Sequence, residues 1–329
     1  MKKEKIKVGI LGFGVVGTGT FKILEKYSDM IRNQIGTDII VDKVLVRDLT
    51  KGRAIHASEK LFTVNAEDIL ENPDIDIVVE LMGGEEPAYS YISRALKNGK
   101  HVVTANKELL AKKGDALFEY AKDKNLFLGF EASVCGGIPI IKAIKESLSI
   151  DKITKITGIV NGTTNYILTK MSEENLGYDE ALIEAQAKGF AEADPTADVE
   201  GFDAAYKIAI LSNIAFRTNV DINNIKREGI TGISEKDIKE VKSTNKIIKL
   251  IAKAEIVNGG LEAEVAPIVL PLEHPLASIN GVNNGVLINS ESVGELMFYG
   301  PGAGQMPTGN AVVSDIIDIA KQVAMTCAF

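Results

Sequence analysis

A short apolar run, Ile6-Lys7-Val8-Gly9-Ile10-Leu11, passes directly into Gly12-Phe13-Gly14-Val15-Val16-Gly17, and a helical stretch from about Val16 to Tyr27 follows. This order of strand, glycine turn and helix constrains the fold more than any other feature of the chain. A strand with so little polar interruption belongs inside a parallel sheet covered on both faces. The glycines fit G-x-G-x-x-G, and each has its own task. Gly12 permits the tight turn, Gly14 lets a pyrophosphate approach the backbone, and Gly17 lets helix and strand pack closely. The helix N-terminus then offers unpaired N–H groups and partial positive charge to phosphates. In isolation the pattern is only a glycine-rich turn; in this context Gly12, Phe13, Gly14, Val15, Val16 and Gly17 read as a dinucleotide-binding element.

The alternation continues through the first half. Ile39 to Val46 is strand-like, a short helix around Ala66 to Leu70 is stopped by Pro73, and Ile75 to Leu81 is the next strand. A helix beginning at Pro87 runs to about Lys97 and ends at Asn98-Gly99. His101 to Thr104 is a strand, Glu108 to Lys122 a helix, and Leu126 to Phe130 strand-like. Strands alternating with helices predict a doubly wound, mostly parallel sheet. The second half differs. Ile153 to Val160 is β-prone, and helices follow at about Asn165–Glu174, Asp179–Lys188 and, as one long helix, Val199–Phe216. Lys246 to Leu270 reads as two strands around an Asn258-Gly259-Gly260 turn. Val286 to Tyr299 adds more strand, and Ala311 to Val323 forms a last helix.

Composition narrows the function classes. Lys plus Arg number 37 against 45 Asp plus Glu, a net charge of −8, so the positive surplus that phosphate-backbone binding needs is lacking and no nucleic-acid partner is expected. No apolar run approaches the ~20 residues that span a bilayer, and Ile6–Leu11 is too short for a signal sequence. A cytoplasmic protein with no membrane partner is the expectation. Cys135 and Cys327 cannot build a disulfide framework, and His56, His101 and His274 lie too far apart for a structural zinc site.

Four further features carry chemistry. Val44-Leu45-Val46-Arg47-Asp48 closes the second strand, where an acid binds the adenosine ribose and an arginine accommodates a 2′-phosphate. Arg47 favours NADP, Asp48 beside it keeps NAD open, and a solvated surface arginine is the plain alternative. Thr104-Ala105-Asn106-Lys107 places Lys107 just beyond the carboxyl end of a parallel strand, where ligands bind in such sheets; a solvated loop lysine would read the same. Glu192 to Asp203 holds five acids in twelve residues, Asp198 among them. Asp203 and Lys207 are four apart on a helix that turns very apolar at Ile208. A lysine at the edge of a core can exchange a proton with a reacting oxygen, whereas the same spacing also suits an ordinary exposed ion pair. Finally, Glu131-Ala132-Ser133-Val134-Cys135-Gly136-Gly137-Ile138-Pro139 joins the two halves. Its carbonyls suit a hard cation, or it is simply a tight domain crossover. Cys135 reads as a small buried residue, with no histidine or basic residue near it in sequence to activate it.

With Gly12–Gly17, Thr104–Lys107, Glu131–Pro139, Gly158–Asn165, Gly189–Lys207, Gly300–Gly304 and Pro307-Thr308 together, the chain resembles homoserine dehydrogenase over essentially its whole length. The resemblance implies an α/β protein: an N-terminal Rossmann-type doubly wound parallel sheet, an α+β substrate and dimerisation domain, and a last helix that returns to the first domain. It places the NAD(P)-binding domain at 1–137 and 308–329 and the substrate domain at 138–307. It implies reversible NAD(P)-linked reduction of L-aspartate 4-semialdehyde to L-homoserine, within threonine, methionine and isoleucine biosynthesis. Lys207 matches the proton donor, and Lys107 the lysine between cofactor and substrate. Glu192 and Asp203, with Asp198, match the acids around the amino acid; in the mechanism this suggests, the N–H groups around Gly162 and Thr163 are expected to help hold its carboxylate. Thr104, Gly189, Gly302 and Gly304 join the glycine turn and Arg47 around NADP or NAD. A sodium-type monovalent cation falls at Glu131, Val134, Gly136 and Ile138, and a homodimer is implied. Two departures stand out. Many relatives have Gly or Ala where this chain has Cys135, which leaves backbone ligation intact and stiffens the turn. Many bacterial relatives also continue into a small regulatory domain, whereas this chain ends at Phe329 and resembles the form without it.

Two rival readings use the same first domain. One is another NAD(P)-dependent oxidoreductase of a small carbonyl or amino-acid substrate, which a substrate panel separates. The other is a dinucleotide-sensing protein, which would bind cofactor and turn over nothing; the two lysines and the acidic segment argue against it.

Overall fold

In the computed structural model, which describes residues 3–53, 55 and 58–326, the first apolar run becomes an inner strand, β1 (Lys5–Leu11). Then come α1 (Val15–Lys26), α2 (Ser28–Ile35), β2 (Asp38–Leu45), β3 (Phe62–Thr63), α3 (Glu67–Leu70) and β4 (Ile77–Glu80). The half closes with α4 (Ala88–Lys97), β5 (His101–Thr104), α5 (Lys107–Asp123) and β6 (Leu128–Gly129). The sheet order is β3-β2-β1-β4-β5-β6, every pair parallel. The order reverses at β1, so the crevice beyond the carboxyl ends of β1 and β4 is where a dinucleotide binds in this architecture. The sheet is apolar on both faces because helices cover both. Ile77 and Val79 of β4 enter one core with Val8, Ile10 and Val103; Val78 enters the other with Leu11, Ile69, Ile92 and Leu109.

The chain then builds a second unit, Ile138–Ala303, while the first unit, which runs to Gly137, resumes at Gly304. The second unit opens with α6 (Ile140–Lys142), which loosens into a π-helical turn over Ala143–Ser147, and continues with β7 (Ile153–Ile159), α7 (Gly162–Glu174) and α8 (Tyr178–Ala187). Next are α9 (Thr196–Val199), α10 (Phe202–Phe216), β8 (Lys226–Arg227), α11 (Glu235–Ser243), β9 (Lys246–Val257), β10 (Gly260–Pro271), β11 (Asn283–Ser290) and β12 (Gly294–Pro301). Its sheet order is β12-β11-β7-β9-β10-β8, antiparallel except where β8 meets β10. The β9–β10 hairpin turns on Asn258 (φ 52°) and Gly259 (φ 83°), the left-handed pair that a two-residue hairpin requires.

The last helix, α12 (Gln305–Thr326), packs into the first unit. It gives Val312, Val313, Ile316 and Ile319 to the core around β1. A Cβ on Gly19 of α1 would lie 1.9 Å from the Gln305 carbonyl oxygen, so the two helices meet backbone to backbone.

The long helix expected over Val199–Phe216 is broken. Gly201, at φ 78°, ends α9 and stands at the N-cap of α10. The break puts Asp203 in the first turn of α10, where a carboxylate is favoured by the helix dipole. Helices α2 and α11 add to the elements expected from the sequence; both are short and mostly polar, so neither shows an apolar period, and α11 is defined by a capping box between Ser234 and Asp237. Among the described residues Cys135 is a buried cysteine in no disulfide, no group of three His, Cys, Asp or Glu could hold a metal, and no helix is long and apolar enough to cross a membrane. His56 and Cys327 lie outside the described residues.

Candidate active site

The glycine turn has the geometry its spacing demands. Gly12 sits at φ 98°, with Leu81 so close that a Cβ would stand 2.9 Å from its carbonyl oxygen. A Cβ on Gly17 would lie 2.5 Å from the Gly12 carbonyl oxygen, so only glycine lets α1 start this tightly. Gly14 is different: among the described residues, a Cβ there meets no atom beyond its immediate chain neighbours within 4 Å. Gly14 is also the N-cap of α1 and no side chain caps that end, so its amides remain for an anion. Val15 is exposed, while the Phe13 ring packs edge-on against Phe21 and Phe62. Phe13 therefore offers a ligand its backbone rather than its ring.

Neighbouring strand ends are tied together by one buried acid. Glu80, the last residue of β4, accepts the Met82 and Gly83 amides (2.7 and 3.2 Å) on Oε1 and the Thr104 hydroxyl (2.6 Å) on Oε2. Thr104 Oγ1 accepts the Asn106 amide at 3.1 Å, and Asn106 caps α5 through the Leu109 amide. Lys107 is thereby the first residue of α5, half-buried at the carboxyl edge of β5. Arg47 is exposed just past β2. Asp48 faces its own loop, accepting the Thr50 amide (2.8 Å) and hydroxyl (2.7 Å), and those bonds hold its carboxyl below the usual range. Arg53 stacks on the Phe62 ring, 4.6 Å from its centroid.

Glu131, Ala132 and Ser133 form a buried 3₁₀ turn. The Glu131 amide donates to Asp315 of α12 at 2.8 Å, and the Ser133 hydroxyl to the Phe130 carbonyl at 2.6 Å. Val134 is buried; Cys135 and Gly136 follow at φ 54° and 42°. A non-glycine residue held there costs roughly 1–2 kcal/mol, the physical content of the Cys135 departure.

In the second unit the acidic segment and α10 converge on one asparagine. Lys207 and Asp203 are not an exposed pair: their side chains are only 11% and 7% exposed. Lys207 Nζ donates to Asp203 Oδ2 at 2.6 Å and to the Val160 carbonyl, just past β7, at 2.7 Å. Among the described residues two of its three N–H bonds are thus spent, and one is left for another acceptor. Asn161 Nδ2 donates to the same Asp203 oxygen at 2.8 Å and to Asp198 Oδ1 at 2.6 Å. Asn161 Oδ1 accepts the amide and the hydroxyl of Thr164, both at 2.8 Å, which caps α7. Burial pushes the Asp198 carboxyl up and the nearby Asp203 charge adds to it, against the pull of Asn161.

Around this cluster, the Thr163 hydroxyl donates to the Phe190 carbonyl at 2.7 Å. Gly162 is backed by Val282, whose carbonyl oxygen would be 2.8 Å from a Cβ. Gly189 (φ 74°) ends the α8 region with open space beside it. Glu192 is exposed and stands outside the hydrogen-bonded cluster. A Cβ on Gly302 would be 2.0 Å from Asn284 Oδ1, whose buried amide has no hydrogen-bond partner among the described residues, and Gly304 holds φ 133°.

Two family models match the chain. One, described as homoserine dehydrogenase, NAD binding domain, covers residues 12–131; the other, described as homoserine dehydrogenase, covers residues 139–317. A homoserine dehydrogenase of Bacillus subtilis is 47% identical over 322 residues, 98% of this chain and 74% of its own length. The chain belongs to the homoserine dehydrogenase family. It is an NAD(P)-dependent oxidoreductase acting on a CH–OH group. The crystal structure of a homoserine dehydrogenase from Thiobacillus denitrificans superposes with a TM-score of 0.94 at 42% identity, covering 98% of this chain and 74% of that one. A hyperthermophilic archaeal homoserine dehydrogenase in complex with NADPH gives a TM-score of 0.82 at 29% identity, covering 95% of this chain and 97% of that one.

Membership in that family sharpens what sequence reasoning passed over. Glu80 closes an apolar strand, Ile77-Val78-Val79-Glu80, and an acid at that position was a readable signal. Asn161 lies inside the Gly158–Asn165 motif, and an asparagine ahead of Gly-Thr-Thr is a helix-cap signal. Its bonds to Asp198 and Asp203, 37 and 42 residues away, had no signal of their own.

Proposed function

We propose that this chain catalyses the reversible NAD(P)-linked interconversion of L-aspartate 4-semialdehyde and L-homoserine, with Lys207 as general acid and base. The observation that carries the reading is the buried Lys207 ammonium, fixed by Asp203 and the Val160 carbonyl with one N–H unspent among the described residues. When bound, the nicotinamide supplies or accepts the hydride. Lys207 delivers a proton to the alkoxide oxygen in the reducing direction and takes it back in the other. Asp203 orients the amine by accepting one of its N–H bonds. Lys107 assists at the same oxygen by charge. Glu192, Asp198 and Asp203 hold the substrate ammonium, and the Gly162 and Thr163 amides at the N-terminus of α7 hold its carboxylate.

The dinucleotide lies on Gly12–Gly17, with Thr104, Lys107, Gly189, Gly302 and Gly304 lining it. The open space at Gly14 and the uncapped end of α1 fit its phosphates. Arg47 reads a 2′-phosphate, and the turning of Asp48 into its own loop supports NADP over NAD. Glu131, Val134, Gly136 and Ile138 hold a sodium-type cation through hard oxygen donors, a role the buried Glu131 turn suits. Residues 1–137 with the last helix serve as cofactor domain, and the second unit as substrate and dimerisation domain. Exposed Ile256 and Val269, on one face of its sheet, support a homodimer through that face. The enzyme works in the cytoplasm, in threonine, methionine and isoleucine synthesis.

The test is turnover of L-homoserine by the purified chain with NADP or NAD, with and without sodium or potassium, followed at the reduced-nicotinamide absorbance. Growth of that band with homoserine, faster with NADP, is expected. No turnover of homoserine, alongside turnover of another small hydroxy compound, contradicts the reading.

A further inference from the structure

β9 carries a charge in the middle of an apolar strand: Ile247-Ile248-Lys249-Leu250-Ile251. Lys249 is fully buried, on the strand face it shares with Ile247 and Ile251, which pack with Ile159, Leu276, Ile279 and Leu287. Burial pushes its amine down to about 8, with Glu173 opposing. An uncharged side chain of the same length would avoid that desolvation cost, so what Lys249 contributes is its three donors. All three are used: Nζ donates to the Ile279 carbonyl at 2.6 Å, to Asn280 Oδ1 at 2.8 Å and to Asn165 Oδ1 at 3.1 Å.

Every acceptor belongs to the 279–283 loop or to α7. Asn165 Nδ2 reaches the carbonyls of Ile279, Gly281 and Asn283 at 3.0, 3.0 and 3.2 Å. Thr169 Oγ1 accepts the Gly281 amide at 3.1 Å and donates to the Asn165 carbonyl at 2.6 Å. This loop presents the Val282 carbonyl to the back of Gly162, the first residue of α7. Lys249 thus stands behind the loop that presses on the helix turn carrying Gly162, Thr163 and the Asn161 cap.

We propose that Lys249 is a positioning residue for the reaction: its ammonium clamps the 279–283 loop and Asn165, and so fixes the first turn of α7 where the amino-acid carboxylate binds. The inference rests on the reading that this turn holds the substrate. That reading is checked first, by homoserine turnover of the wild-type chain, so the two fail separately.

The experiment compares Lys249→Met and Asn280→Ala with wild type in KM for homoserine, kcat, dinucleotide affinity by fluorescence titration, and cooperative unfolding. Losing charge-assisted bonds behind the turn should raise the homoserine KM about ten-fold in Lys249→Met, with kcat within about three-fold and dinucleotide affinity unchanged. Asn280→Ala removes one acceptor at a half-buried site and should raise KM about two- to five-fold with the same split. A homoserine KM within about two-fold of wild type in a folded Lys249→Met overturns the proposal, as does a loss shared equally by dinucleotide binding. If Lys249→Met does not fold, Asn280→Ala decides: an unchanged KM overturns the proposal and a raised KM at constant kcat supports it.

Discussion

Asn161 and Lys207 share one oxygen: Asn161 Nδ2 stands 2.8 Å and Lys207 Nζ 2.6 Å from Oδ2 of Asp203. The amide holds the carboxylate in place and the carboxylate holds the ammonium. Asn161 also binds Asp198 and caps α7, so one side chain sets two acids, a lysine and a helix start.

Asn161→Ala should therefore be costly twice over. Loss of the cap costs about 1 kcal/mol, and leaving two partly buried carboxylates short of a donor costs on the order of 1–3 kcal/mol more. Turnover of homoserine should fall roughly 100-fold as Lys207 loses its fixed partner. Urea unfolding and steady-state kinetics on the same preparation check both figures.

Gly14 and Gly17 separate cofactor binding from folding. A methyl on Gly14 meets only open space, so Gly14→Ala should keep its unfolding free energy within about 0.5 kcal/mol and yet weaken dinucleotide binding at least about ten-fold. A methyl on Gly17 meets the Gly12 backbone at 2.5 Å, so Gly17→Ala should lose stability and affinity together. Calorimetric titration with denaturant melts distinguishes them. Equal stability loss in both variants would mean that Gly14 is structural.

Asp198 gives a pH signature. Its folded carboxyl is raised by burial and by Asp203, so the folded state holds its proton more tightly than the unfolded chain. Stability is therefore lost as pH rises from the ordinary carboxylate range through the raised value. Asp198→Asn removes that penalty: it should stabilise the protein at pH 7, with the gain shrinking to nothing on acidification. The same change should raise the homoserine KM, since a site for the substrate ammonium loses charge. Melting temperatures of both proteins across pH 4 to 8 give the sign; a gain that grows on acidification would contradict it.

The sequence showed the first sheet well because its signals are local. Gly12, Gly14 and Gly17 announce their own backbone needs, and Ile77 to Glu80 reads as a strand buried on both faces. The Lys207–Asp203 pair was legible as a pair but not as a buried one, because burial depends on β7 and the acidic segment closing over it. The break at Gly201 was hidden, since a glycine inside an apolar periodic stretch costs a helix only about 1 kcal/mol and need not stop it. Asn161 and Lys249 act through partners tens of residues away. Only their residue types, a cap-forming asparagine and a lysine inside an apolar strand, hinted at them.

The most direct measurement is the turnover number of Lys207→Ala at saturating NADPH and L-aspartate 4-semialdehyde, with dinucleotide affinity confirmed as intact. Loss of a true general acid should lower kcat by roughly two to four orders of magnitude. A kcat near that of the unaltered enzyme would take Lys207 out of the chemistry and leave the Asp203 cluster a structural feature.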